Sequence, residues 1–100
     1  MNFDDVTLLH RQGVVSDIVM GYCIDKALTN RAWHTRHLAV IHSNATTAHI
    51  DKALDDPDEW VRVDAIKHPN VTSAHIDKAL NDDNVLVRGI ARVIKKKRNL

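Results

Sequence analysis

The sequence contains little of what a β-rich or disulfide-linked domain needs. Glycine occurs three times and proline twice in 100 residues, which is too little turn-forming material for the many short strands of an all-β sandwich. The single cysteine, Cys23, excludes an intramolecular disulfide and any all-cysteine metal site within the chain. This cysteine usage is typical of a reducing compartment.

Aromatic residues and long apolar runs are also scarce. Only 4% of the residues are aromatic whereas 44% are hydrophobic, so a core of alanine, valine, isoleucine and leucine in packed helices is favoured. No apolar run approaches the roughly 20 residues that span a bilayer, and residues 1–5 lack the basic region of a signal peptide. We therefore expect one cytoplasmic all-α domain, since a chain of this length supports a single core.

The charges are unevenly distributed although the formal net charge is only +1. All 13 acidic residues and eight of the 14 basic residues lie in residues 1–84, whereas residues 85–100 contain no acid. The sequence therefore predicts an acidic body with a basic end. The basic residues of that end are Arg88, Arg92, Lys95, Lys96, Lys97 and Arg98.

A 26-residue repeat is the strongest pattern in the chain. The pentapeptide Ile-Asp-Lys-Ala-Leu occurs at 24–28, 50–54 and 76–80. Because a fixed period of this length marks a repeat architecture, we expect an α-solenoid with repeats, here called units, at 29–54 and 55–80. Other residues that recur in the same register are Arg36, Arg62 and Arg88, Ala39, Ala65 and Ala91, His42 and His68, and His49 and His75.

Each unit is predicted to form two short helices. In the second unit, Asp56 is expected to be the N-cap, Pro57 the first helical residue, and Glu59 the capping partner three residues after the cap. Pro69 ends this helix and Thr72 caps the next one. Neither helix is long enough to be stable alone, so stability has to come from stacking. The apolar positions predicted for the first helix are Trp60, Val61, Ala65 and Ile66.

The two ends depart from the repeat, as the ends of a stacked array do. Residues 1–28 are predicted to be an N-terminal cap, with a short helix over 3–12, a break at Gly13 and a longer helix capped by Ser16. Residues 81–100 are predicted to be a C-terminal half-repeat, in which one helix ends in the basic residues. The whole chain is therefore expected to be one domain.

The second unit resembles a known repeat family. Its segment 56–62, Asp-Pro-Asp-Glu-Trp-Val-Arg, and its segment 68–72, His-Pro-Asn-Val-Thr, are similar to the leucine-rich repeat variant, and HEAT repeats are similar as well. The resemblance covers residues 29–92 well, and it implies an α-solenoid whose repeat carries no chemistry. The period of 26 is shorter than a HEAT unit and slightly longer than the variant repeat, and the cysteine cluster of some variant-repeat proteins is absent. In style and length, such arrays are also similar to small accessory proteins of tailed phages.

The same resemblance implies a role for the repeated arginines. In the family, an aspartate six residues before an arginine joins neighbouring units in a hydrogen-bonded ladder. We therefore expect the arginines to hold the units together. The matching pairs are Asp56 with Arg62 and Asp82 with Arg88, and Asn30 precedes Arg36 at the same spacing.

Histidines are numerous, seven in 100 residues, but their spacing does not indicate a metal site. Zinc ligands lie about 2 Å from the ion, whereas equivalent positions in neighbouring units lie about 8–10 Å apart. His42 and His68 are expected to close the first helix of each unit, against its dipole. His49 and His75 are expected to be exposed on the second helix. With Cys23 expected to be inert and no phosphate loop or nucleophile motif in the sequence, we predict a non-enzymatic protein without metal or cofactor.

The first candidate for a partner site is a polar ridge on the second helices. Identical residues in a solenoid stack into rows, and the likeness to HEAT arrays implies that the second helices line the concave surface. A solvated ridge without a partner is an equally good interpretation. The residues predicted to bind a protein partner are His49, Asp51, Lys52, His75, Asp77 and Lys78.

Two functions are compatible with these features. The first is a protein-interaction module, such as a phage accessory factor that engages or inhibits a host protein. The alternative is a nucleic-acid-binding module that uses the basic end. The acidic body counts against the alternative, because such binding depends on releasing counterions from several contacted phosphates. The basic end can also be a solvated terminus.

Overall fold

The computed structural model describes residues 2–100, which form seven helices and no strand. The prediction of an all-α fold is confirmed. Within this range no helix has the length and apolar character needed to cross a bilayer. The helices are α1 (Phe3–Arg11), α2 (Asp17–Ala27), α3 (Trp33–Ile41), α4 (Thr47–Ala53), α5 (Glu59–Lys67), α6 (Ser73–Ala79) and α7 (Val85–Lys97).

The N-terminal helices begin and end where local signals place them. The Asn2 side chain caps α1 by accepting the N–H of Asp5 at 2.9 Å, and Ser16 caps α2 by accepting the N–H of Val19 at 3.3 Å. Between them, Gly13 has a φ of +80°, a conformation that glycine adopts without a steric penalty. The predicted break between the two helices is confirmed.

The predicted cap of α5 is displaced by two residues. Asp58, and not Asp56, is the N-cap, and its Oδ1 accepts the N–H of Trp60 at 2.8 Å. Pro57 therefore precedes the cap instead of opening the helix. The reason is that the Asp56 carboxylate is engaged elsewhere, because it accepts the Asp58 N–H at 2.9 Å and faces Arg36 of the preceding unit.

One cluster of small and branched aliphatic side chains runs from α2 to α7. α5 lies between α3 and α7, while α4 packs against α5 and α6 packs against α7. Core positions recur one period apart, so the repeated pentapeptide buries its predicted face. Fully buried examples are Ile24, Ile50 and Ile76, and Ala39, Ala65 and Ala91.

Both tryptophans lie largely outside this core. Trp33 is 47% exposed and Trp60 is 53% exposed, so the placement of Trp60 on the apolar face of α5 is wrong. Each residue turns an α-helix by about 100°, and Trp60 precedes the buried Val61 by one residue. Val63 is buried instead, on the side of α5 that the sequence pattern did not assign to the core.

Candidate functional site

Two arginines join neighbouring units through paired hydrogen bonds. Arg36 donates from Nε and Nη2 to the two carboxylate oxygens of Asp56, at 2.8 and 3.2 Å. Arg62 donates in the same way to Asp82, at 3.0 and 3.3 Å. Side-chain exposures of 13% for Arg36 and 7% for Asp56 show that the first pair is shielded from water. The predicted connection to a neighbouring segment is confirmed for Arg36 and Arg62, whereas it is wrong for Arg88, whose Nη1 donates within residues 81–100. Two parallel bonds of this kind are both strong and geometrically specific.

All three repeated arginines, Arg36, Arg62 and Arg88, also donate from Nη1 to the backbone carbonyl six residues earlier. The Nη1 of Arg62 donates to the carbonyl oxygen of Asp56 at 2.8 Å, and the Nη1 of Arg88 donates to that of Asp82 at 2.7 Å. This bond spans the six-residue spacing on which the ladder was predicted. The acceptor is the backbone carbonyl of the aspartate six residues earlier, and not its carboxylate as predicted. The carboxylate that Arg62 binds is that of Asp82, in the following unit.

The environment of Asp82 favours its ionised form. Burial opposes ionisation, but the backbone N–H of Asn84 and the guanidinium of Arg62 donate to the carboxylate and outweigh that effect. These bonds hold the pKa of Asp82 below its usual value of 3.8. The ladder therefore contains a carboxylate that stays charged in mildly acidic solution.

His49 and His75 are buried, with exposures of 6% and 3%, so the prediction that they are exposed is wrong. Each is the third residue of its helix and completes a capping box. The Nδ1 of His49 accepts the Thr46 N–H at 2.9 Å, and Thr46 Oγ1 accepts the His49 N–H at 3.3 Å. His75 and Thr72 repeat this arrangement. Glutamate or glutamine usually takes this place, and histidine replaces it here.

The other ring nitrogen of each histidine reaches back to the preceding second helix. Because Nδ1 accepts a hydrogen bond, the ring proton lies on Nε2. That Nε2–H donates to Asp25 at 2.7 Å in His49, and to Asp51 at 2.6 Å in His75. The two aspartates themselves are exposed. The predicted ridge thus contains two buried histidines, each of which holds an exposed carboxylate of the preceding second helix.

The lysines of the ridge differ in their neighbours although their positions are equivalent. Lys78 lies 2.7 Å from Asp55, and Asp77 lies 3.9 Å from Lys95. Lys52 is exposed and has no ion-pair partner among residues 2–100. Exposed pairs of this kind contribute about 0–1 kcal/mol, so these side chains remain available to a partner.

Half of the predicted nucleic-acid-binding cations are engaged within the fold. The Nη1 of Arg98 donates to the carbonyl oxygen of Val71 at 2.6 Å, which ties the end of α7 to the preceding unit. The engaged cations are Arg88, Lys95 and Arg98. The cations that are exposed and have neither an ion pair nor a side-chain hydrogen bond in the described part of the chain are Arg92, Lys96 and Lys97.

His42 and His68 follow the first helices of their units, as predicted. The Nδ1 of His42 accepts the Asn44 N–H at 3.0 Å, and the backbone carbonyl of His42 accepts the Nε2–H of His68 at 2.8 Å. Burial lowers the pKa of His42 from its usual value of 6.5, and the nearby His10, Arg11 and His68 lower it further.

Acidification is therefore expected to destabilise the protein as the pH falls below 6.5. The unfolded chain binds the His42 proton at a higher pH than the folded chain, so the stability present above pH 6.5 is lost towards the lower folded-state pKa. Urea unfolding followed by circular dichroism at a series of pH values measures this loss. In His42→Asn, the Oδ1 can accept the Asn44 N–H without titrating, so the pH dependence should be weaker. An unchanged pH dependence would contradict this account.

The described residues also form an open groove of about 430 Å³ between α1, α2 and α3. Its lining includes Phe3, Tyr22, Cys23 and His34. Across residues 2–100, no group of three or more histidine, cysteine, aspartate or glutamate side chains is arranged to hold a metal ion.

Comparison with known proteins leaves the function to be inferred from this chain. No family model matches it, and no curated protein and no solved structure matches it. The features that bear on function are therefore the ladder, the ridge and the basic helix α7.

Proposed function

We propose that the protein is a non-enzymatic interaction module, an α-solenoid of 26-residue units that binds a protein partner through its second helices. The observation that carries this proposal is the repetition of the exposed face of α4 on α6. A partner surface that fits one unit can then fit the next at the same spacing. The exposed residues that correspond are Thr47 and Ser73, Ala48 and Ala74, Asp51 and Asp77, and Lys52 and Lys78.

The histidine contacts support a fixed spacing between these faces. Each one joins a second helix to the one before it, from His49 to Asp25 and from His75 to Asp51. The histidine rings are buried, and each one holds an exposed carboxylate through a hydrogen bond from Nε2. A preorganised surface loses less conformational freedom on binding, which favours affinity. The likeness to the leucine-rich repeat variant supports the same reading, and a phage accessory factor acting on a host protein is the setting that we propose.

The ridge is tested by reversing its lysines. Lys52→Glu combined with Lys78→Glu should weaken a partner captured from host lysate by more than about 1 kcal/mol, measured by calorimetry with the purified partner, because interface charges govern encounter and register. The matched control is Lys96→Gln with Lys97→Gln, which alters exposed lysines of α7 and should change the affinity little. Far-UV circular dichroism should show the same helix content in both variants. Loss of binding in the control variant alone would contradict the assignment of the partner site to the ridge.

Nucleic-acid binding remains the second candidate because α7 exposes three cations. If three phosphates are neutralised, the logarithm of the affinity for duplex DNA should fall with the logarithm of the salt concentration with a slope of about −2.7. The Lys96→Gln and Lys97→Gln variant should then bind DNA more weakly and with a shallower slope. A titration without measurable binding at low salt would exclude this function for the isolated protein.

A further inference from the structure

Arg88 lies on the outer face of α7, away from α5, and only part of its guanidinium is hydrogen-bonded within the fold. Arg36 and Arg62 each bind a backbone carbonyl through Nη1 and a carboxylate through Nε and Nη2. Arg88 makes the carbonyl bond alone, and no residue in 2–100 supplies a carboxylate to its Nε or Nη2. Its Nη1 donates to the carbonyl six residues earlier, the same acceptor position that the other two arginines use.

The residues around Arg88 leave this face exposed, with a cationic side chain next to an apolar one. Val85, one turn before Arg88, is 71% exposed. Arg92 is exposed at the position where α5 buries Ile66 and α3 buries Val40. Because Ile66 is buried in α5 and its counterpart Arg92 is exposed in α7, Arg92 marks the side of α7 that faces onward along the chain. This face is therefore positively charged, since it carries Arg88 and Arg92 and residues 85–100 contain no acid.

We propose that this face binds an acidic protein segment, with Arg88 taking an aspartate or glutamate side chain through Nε and Nη2. The two equivalent arginines take aspartates in this geometry. Arg92, four residues later on the same side of α7, supplies complementary charge beside it. This site is separate from the ridge on the second helices. Either of the two proposals can therefore be disproved without affecting the other.

A carboxylate fits this site better than the other candidates. A nucleic acid would meet the acidic body, which holds all 13 acids of the chain. A second copy stacking head to tail would present Asn30, which stands at the register position of Asp56 and Asp82. An asparagine oxygen carries no charge and cannot replace a carboxylate in a fork of two bonds. An acidic segment of another protein supplies the carboxylate, and a short segment can lie on this face without extending over the acidic body.

The test uses the unmodified protein and follows its arginine Nε–H signals by ¹H–¹⁵N NMR. The probe is a capped peptide of the chain's own segment 80–85, which contains Asp82 and Asp83. At millimolar concentrations it should shift the Arg88 Nε–H signal saturably, while the signals of Arg36 and Arg62 stay in place. The control peptide has asparagine at both aspartate positions and should leave Arg88 unaffected.

Variants separate the fork from general charge. Arg88→Lys keeps the charge but not the fork, and should weaken peptide binding by about tenfold. Arg92→Lys, on the same face, should weaken it much less. An Arg88 signal that does not move, or moves equally with the control peptide, would overturn the proposal. So would a short DNA duplex that shifts Arg88 at lower concentration than the peptide does, or a concentration-dependent dimer that shifts it without peptide.

Discussion

Replacing Asp56 by alanine is expected to lower the free energy of unfolding by about 3–5 kcal/mol, the cost of breaking a buried ion pair by removing one partner. Arg36 would lose both of its carboxylate bonds in a place where its side chain is only 13% exposed. The Asp58 N–H would lose its acceptor as well, just before α5 begins. Urea unfolding followed by far-UV circular dichroism measures the change.

The matched control for this experiment is Asp83→Ala. Asp83 also contacts a ladder arginine, with 3.2 Å between its Oδ1 and the Nη2 of Arg62, but its side chain is 94% exposed. Removing it should change the stability by about 0.5 kcal/mol or less, because water screens an exposed pair and solvates the remaining charge. Equal effects of the two substitutions would show that burial does not set the strength of the ladder.

Truncating Ile66 to alanine is expected to cost about 2–5 kcal/mol. Ile66 is fully buried, and the loss of its methyl groups leaves a cavity that close-packed neighbours fill only in part. The control is Arg92→Ala, one period later in the sequence, where the side chain is exposed and the expected change is about 0.5 kcal/mol or less.

Equal losses in these two variants would contradict the assignment of Arg92 to an outer face. A small loss in Ile66→Ala would instead mean that the contact between α5 and α7 contributes little to stability. Both free energies come from the same unfolding measurements as the Asp56 series, so the ladder and the core can be compared directly.

Much of the helical framework could be predicted because its signals are local. The repeated pentapeptide sets a buried face by helical spacing alone, and Ser16 and Thr72 mark helix starts. The cap of α5 was misplaced because two aspartates, Asp56 and Asp58, compete for that place. The choice between them depends on Arg36, which is 20 residues away from Asp56 in the sequence and close to it only in the folded chain.

The ridge was harder to predict because histidine has two ring nitrogens with separate roles. The motif Thr-x-x-His recurs at 46–49 and 72–75, and it could have indicated a capping box if histidine had been allowed at the glutamate position. The bond from Nε2 to the preceding helix could not be anticipated, since it depends on how the helices pack. The same holds for Arg98, whose acceptor is the carbonyl of Val71.

The arginine ladder gives the protein a direction. Each guanidinium donates towards the C-terminus and each carboxylate accepts from the N-terminal side, as in the pairs Arg36 with Asp56 and Arg62 with Asp82. The two ends of the row are therefore chemically unlike, because Asn30 stands at the register position of the aspartates at one end and the guanidinium of Arg88 lies at the other. Such polarity means that growth by whole units, in evolution or by design, can preserve every pair only when each added unit points the same way.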